Sequence, residues 1–243
     1  MGEAKRRKQT GQPSSKRLRE QRQKRLYWAG GIASVVVVVA LVLFLTTPGV
    51  GPGPALPEPS PNPFPAQLDR HGIHRGDPDA PVVVREFADY QCPACARFAD
   101  QTHERLVKEY IETGKVRLVF FEMPLRQHDN AVPAAMAARC AGAQDAYWAM
   151  QHRLFERQPR WDNSSDPVTV FTGYAGELGL DERRFERCLA NERPKDQVDQ
   201  SLSVAQQVRV RSTPTVIVNN TTLSRSNWEQ LSAVIERELA KAE

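Results

Sequence analysis

The sequence predicts an α/β domain interrupted by a helical block and preceded by one transmembrane helix and a Pro-rich linker. Three observations carry this. Residues 26–45 are an uncharged apolar run, eight prolines fall between Pro48 and Pro65, and residues 67–243 alternate between strand-like and helix-like hydrophobic periods around one long helical stretch. With 14 Gly, 18 Pro and 4 Cys in 243 residues, the chain is neither collagen-like nor a disulfide-dense mini-protein.

Residues 1–25 hold ten Lys or Arg against Glu3 and Glu20, so the formal net charge of +4 resides in the leader and the remainder is net acidic. A basic nucleic-acid groove in the folded part therefore has no support, and no nucleic-acid partner is expected. The 20 residues 26–45, as a helix rising about 1.5 Å per residue, match the roughly 30 Å hydrocarbon core. Tyr27 and Trp28 fall at headgroup level, and the basic cluster before them stays cytoplasmic by the positive-inside rule. The run is longer than a signal-peptide core and no small-residue cleavage site follows, so it reads as an uncleaved signal anchor. The chain is expected to be single-pass, with its C-terminal domain extracytoplasmic, on the periplasm or cell-envelope side. The linker, residues 46–66, reads as an extended spacer.

In the domain, the β-branched run from Pro81 to Phe87 reads as a buried strand. Pro93 suits the first turn of a helix, where its missing N–H would be unpaired anyway. That helix carries Phe98, Thr102, Leu106 and Tyr110 on one stripe and ends at Gly114. Val116, Leu118 and Phe120 alternate as a second strand. A helical insertion follows over about 128–208, then a strand from Thr213 to an Asn219-Asn220 turn, a return strand at 221–223, and a last helix. Ser226 and Glu229 have capping-box spacing at its start.

Cys92-Pro93-Ala94-Cys95 stands at the strand-to-helix junction. A redox dithiol needs this placement, because unpaired N–H groups and the helix dipole stabilise a thiolate at the first sulfur. The second sulfur can turn back and release a bound substrate. Cys92 is thus expected to be the exposed nucleophile and Cys95 the resolving thiol. Half a zinc site and a purely structural 92–95 disulfide are the competing readings. Zinc would need a second ligand pair, and neither Cys140 and Cys188 nor the five histidines supply one, so no metal is expected.

Glu86-Phe87-Ala88-Asp89-Tyr90-Gln91-Cys92-Pro93-Ala94-Cys95, the helical insertion and Val210-Arg211-Ser212-Thr213-Pro214-Thr215-Val216 together resemble the DsbA-type thiol:disulfide oxidoreductases over essentially all of residues 70–243. The resemblance implies a thioredoxin fold with an inserted helical domain. It also implies a cis Thr213–Pro214 bond opposite the dithiol, with the backbone of Thr213 offered to a substrate strand. Glu86 matches a buried acid that assists proton transfer at the resolving cysteine; the competing reading is a surface carboxylate paired with Arg85 or another cation. Ala94 stands where the best-known oxidant of the family has His, so a milder oxidant is expected. Cys140 and Cys188 look like a second, structural disulfide joining two helices of the insertion, an electron relay or separate buried thiols being the other options. His103 and His128 have no positional argument and read as surface or capping residues.

The expected activity is oxidation of reduced exported proteins through Cys92 and Cys95, with no cofactor in the domain itself. By resemblance, a quinone-linked membrane protein of the DsbB or vitamin-K-epoxide-reductase-like type would re-oxidise the dithiol. A disulfide reductase or isomerase, and a non-catalytic client-binding holdase module, are the alternatives.

Overall fold

The computed structural model describes residues 55–242 together with Val36, Val38, Val39 and Val42. The chain divides into two compact units, Met1–Ala55 and Leu56–Glu243. In the first, the four described valines are helical. The expected membrane segment 26–45 otherwise lies outside the described residues, and among those described no helix is long and apolar enough to cross a membrane.

The second unit is built on a five-stranded sheet: β1 (Ile73–Arg75), β2 (Val82–Ala88), β3 (Val116–Glu122), β4 (Thr215–Val218) and β5 (Thr221–Thr222), in the order β1-β3-β2-β4-β5. β2 and β3 are parallel and the other pairs antiparallel. The parallel pair is bridged by α1 (Pro93–Leu106), which runs into a π-helical turn at Val107–Ile111. Gly114 closes that crossover at φ +72°, a conformation that favours glycine. β1 was not expected; at three residues it is too short to carry a periodicity.

The insertion comprises α2 (Ala131–Gly142), α3 (Tyr147–Glu156), α4 (Pro167–Glu177), α5 (Glu182–Leu189) and α6 (Glu192–Gln207), and the domain ends in α7 (Trp228–Leu239). The cap of α7 differs from the expectation. Asn227, not Ser226, accepts from the Gln230 N–H at 3.0 Å, while the Ser226 hydroxyl donates to the Pro214 carbonyl at 3.2 Å. Asn is as good a cap as Ser, and the chain enters the helix one residue later.

Strand alternation sends the side chains of β2 to two faces. Val82 and Val84 join Leu118, Val216, Phe98, Leu106, Trp228 and Ile235 in one cluster. Phe87 joins Val119, Phe121, Ile217 and Val204 in another, under α6. A third cluster holds Ala88, Tyr90, both dithiol cysteines and the apolar faces of the insertion. Cys140 of α2 and Cys188 of α5 are disulfide-bonded, with Cα atoms 5.7 Å apart.

Residues 56–65, read from sequence as the end of an extended spacer, lie on the domain. Phe64 packs against Phe87 and Phe121, with the Arg85 guanidinium 4.2 Å from its ring centroid. The Ser60 N–H donates to the Asn220 carbonyl at 2.7 Å, and Arg237 donates to the Pro57 carbonyl at 2.8 Å. The prolines keep the segment extended, but Phe64 and Leu56 give it apolar anchors that a spacer lacks.

Candidate active site

The dithiol sits where β2 hands over to α1. Cys92 is the N-cap residue of α1, with extended backbone angles, and Pro93 begins the helix. The Cys92 carbonyl accepts from the N–H groups of Cys95 and Ala96 at 3.0 and 3.1 Å, which starts the helical ladder and stacks Cys95 beneath the first sulfur. Both sulfurs are free thiols. Cys95 is fully buried, and Cys92 is only 8% exposed, more enclosed than an exposed nucleophile would be.

That loop faces the dithiol. The Thr213–Pro214 peptide bond is cis, and the Cys92 sulfur lies 3.6 Å from the Thr213 carbonyl oxygen. The Thr213 hydroxyl is buried beside the sulfurs and lacks a well-formed hydrogen bond.

The two thiols are polarised in opposite directions. The Cys92 pKa falls to about 5, chiefly because the Cys95 S–H donates to it; burial opposes this, and the Thr213 side chain and the N–H groups of Cys95 and Ala94 assist. Ala94 thus contributes through its backbone and not through its methyl side chain. Cys95 is pushed far up, first by burial and then by its role as donor to Cys92, against a hydrogen bond from the Asp89 peptide N–H. At neutral pH the reduced pair is a Cys92 thiolate over a Cys95 thiol.

Glu86 is 1% exposed on β2, in register with Phe120 and Val216. Its Oε2 lies 2.8 Å from His103 Nε2, its Oε1 has no partner, and neither sulfur is hydrogen-bonded to it. Arg85 points to the opposite face, as alternation requires, and forms a two-point ion pair with Asp69 at 2.6 and 2.8 Å. The partner of Glu86 is therefore a histidine that had seemed to lack a position. The signal was present: His103 follows Cys92 by three helical turns, on one face of α1.

His103 also lines a groove of about 1020 Å³ between α1 and α3, floored by Ala96, Trp148 and Phe155 and reaching Pro93 at the dithiol end. Trp148 lies under the Arg75 guanidinium at 5.5 Å, whereas Trp228 is a core residue stacked by Arg105 at 4.1 Å. Among the described residues no three His, Cys, Asp or Glu side chains gather as metal ligands.

Two further arrangements carried no sequence signal because their partners are distant along the chain. The Tyr90 hydroxyl donates to the Tyr147 hydroxyl at 3.0 Å, which donates to Glu122 at 2.7 Å, and Arg139 donates to the same carboxylate at 2.7 Å. Burial pushes both phenols well above the ordinary tyrosine value, so this chain is neutral except for the Arg139–Glu122 pair, and it joins the sheet to the insertion. The loop before the dithiol is held likewise: Gln158 donates to the Tyr90 carbonyl, Gln91 donates to the Asp162 carbonyl, and Asn130 donates its backbone N–H to Gln91 Oε1.

Comparison with known proteins places this architecture. A family model described as Thioredoxin matches residues 69–237. The chain is 30% identical over 169 residues to a probable disulfide bond formation protein D of Bacillus anthracis, covering 68% of this chain and 77% of that protein. To disulfide bond formation protein D of Bacillus subtilis (strain 168) it is 28% identical over 172 residues, covering 68% and 75%. The crystal structure of oxidised BdbD from Bacillus subtilis superposes with a TM-score of 0.65 at 25% identity, covering 76% of this chain and 98% of that one.

Proposed function

The chain belongs to the thioredoxin family, among the DsbA-type thiol:disulfide oxidoreductases, and from that premise we propose that it donates the Cys92–Cys95 disulfide to reduced exported proteins. The observation that supports this most is the arrangement of Cys92 at the helix start, above a buried Cys95 and 3.6 Å from the Thr213 carbonyl.

A substrate thiolate attacks Cys92 Sγ of the oxidised pair, forming a substrate–Cys92 bond as the Cys92–Cys95 bond breaks. The electron pair of the broken bond leaves on Cys95, which then takes up a proton. Glu86, buried with one free oxygen, is the group we assign to deliver or accept that proton, with His103 fixing its other oxygen. The backbone of Thr213, beside the Pro214 kink, aligns the substrate strand. A second substrate thiolate attacks the substrate sulfur of the mixed disulfide and expels Cys92, a good leaving group because its thiol pKa is about 5. Two electrons have then passed to the enzyme. A quinone-linked membrane oxidant of DsbB or vitamin-K-epoxide-reductase-like type restores the disulfide. No resident cofactor enters these steps, and Cys140–Cys188 staples the insertion without exchanging.

In the same proposal residues 1–25 are a cytoplasmic leader, 26–45 a signal anchor and 46–55 a linker, and the domain, which takes in the former spacer residues from Leu56 onward, works outside the cytoplasm on the membrane that holds its oxidant. The test is oxidation of a reduced, unfolded protein by the full-length chain, beside its equilibrium with glutathione and with Cys140–Cys188 followed separately. Disulfide transfer abolished by Cys92→Ser, and a potential well above that of structural disulfides, would support a donor. A thioredoxin-like potential would make the chain a reductase, and client binding that survives Cys92→Ser without any disulfide transfer would make it a holdase.

A further inference from the structure

Asp89 follows β2 directly and is 1% exposed. Its Oδ1 accepts from the Gln91 N–H at 2.7 Å; its Oδ2 accepts from the Leu125 N–H at 2.8 Å and lies 2.7 Å from His128 Nδ1. The main chain of the same residue reaches the dithiol turn: its carbonyl accepts from the Cys92 N–H at 3.1 Å. One side chain is therefore clamped to the loop after β3 while the carbonyl of the same residue holds the start of the dithiol turn.

We propose that Asp89 and His128 form a positioning pair for disulfide exchange: His128 grips the carboxylate, the carboxylate fixes Asp89, and the Asp89 carbonyl holds the Cys92 N–H so that the Cys92 sulfur keeps its place against Cys95. The inference rests on the reading of Cys92 and Cys95 as the exchanging pair. With Nδ1 of His128 carrying the proton, three donors converge on this carboxylate and its ionised form satisfies all of them, whereas a protonated Asp89 would set an O–H against an N–H. Burial pushes the Asp89 carboxyl above its ordinary range, and the hydrogen bonds from Leu125, His128 and Gln91 pull the other way. Of these donors His128 alone is a side chain that can be replaced without touching the backbone. It stands at the rim, 20% exposed, outside the apolar clusters. The titratable groups around Asp89 are His128 on the loop and Cys92 and Cys95 on α1.

The test loads Cys92 of the full chain with glutathione and follows its release by Cys95, using acid quench and mass detection between pH 5 and 8. A reacting sulfur displaced by a fraction of an ångström slows such a step on the order of tenfold, so His128→Ala is expected to release glutathione about ten times more slowly than the parent. His128→Asn, whose amide nitrogen can take the place of Nδ1, should stay within about twofold. The deficit of His128→Ala should widen as pH falls, because Asp89 without its imidazole donor protonates at higher pH. Asp89→Asn, which sets an amide N–H against a donor, should be slow at every pH and so gives a second perturbation if His128→Ala folds poorly. Equal rates for parent, His128→Ala and Asp89→Asn would overturn the proposal, as would equal losses in His128→Ala and His128→Asn. A parent that releases no glutathione would sink the exchange reading itself.

Discussion

Raising or lowering pH across the Cys92 titration is the most direct perturbation of this site. A thiol of pKa about 5 is about 99% thiolate at pH 7, against about 3% for an ordinary cysteine near 8.5. Thiolate nucleophilicity falls with pKa at a Brønsted slope of about 0.4–0.5, roughly 40-fold over this interval, so at pH 7 the two effects nearly cancel. At pH 5.5 the ionisation advantage grows to about 700-fold, and Cys92 should react on the order of 20 times faster than a free thiol of ordinary pKa. Reaction of the gently reduced protein with a pyridyl disulfide, followed from pH 4 to 9, should therefore show a midpoint near 5 and a plateau above pH 6. Replacing Cys95 by Ala removes the strongest lowering influence and should move the midpoint toward 8. Linkage gives the sign for stability. Because the folded-state pKa of Cys92 is depressed, its ionisation contributes stability to the reduced fold that is complete above about pH 8.5 and is lost as pH falls through about 5, whereas the raised Cys95 pKa takes stability away above about pH 8.5. A midpoint at or above pH 7.5 would refute the argument that the helix start and the Cys95 thiol together polarise Cys92.

Other outcomes follow from the packing. Phe64→Ala should cost about 2–3 kcal/mol in urea unfolding, by losing a half-buried ring and its Arg85 contact, and leave the Cys92 titration unchanged. Removing the disulfide with Cys140→Ala and Cys188→Ala, 48 residues apart, should cost about 4 kcal/mol by chain entropy without slowing reaction at Cys92. Arg139→Leu should destabilise by about 3–5 kcal/mol, because it leaves the buried Glu122 carboxylate without its cation; thermal unfolding of the reduced and oxidised forms would read this.

What the sequence by itself determined was local or periodic. The β-branched run of β2, the proline that opens α1, the alternation of β3 and the unbroken helical block are written in short-range patterns, and short-range sterics dictate the elements they form. The cysteine pair was legible for the same reason: a strand, a turn and a helix start lie within a few residues of one another. Tertiary structure decided what alternation and long-range packing control. Arg85 and Glu86 are neighbours in sequence, yet the pleat sends one to Asp69 and the other to His103, on opposite faces of the sheet. Asp89 meets His128, and Tyr90 meets Tyr147, because the insertion folds back over the strand ends. Residues 56–65 become part of the domain because the β4–β5 turn and α7 present carbonyl, amide and guanidinium partners that the linker composition does not foretell. Buried polar groups take their partners from wherever the chain returns, and the fold alone sets where that is.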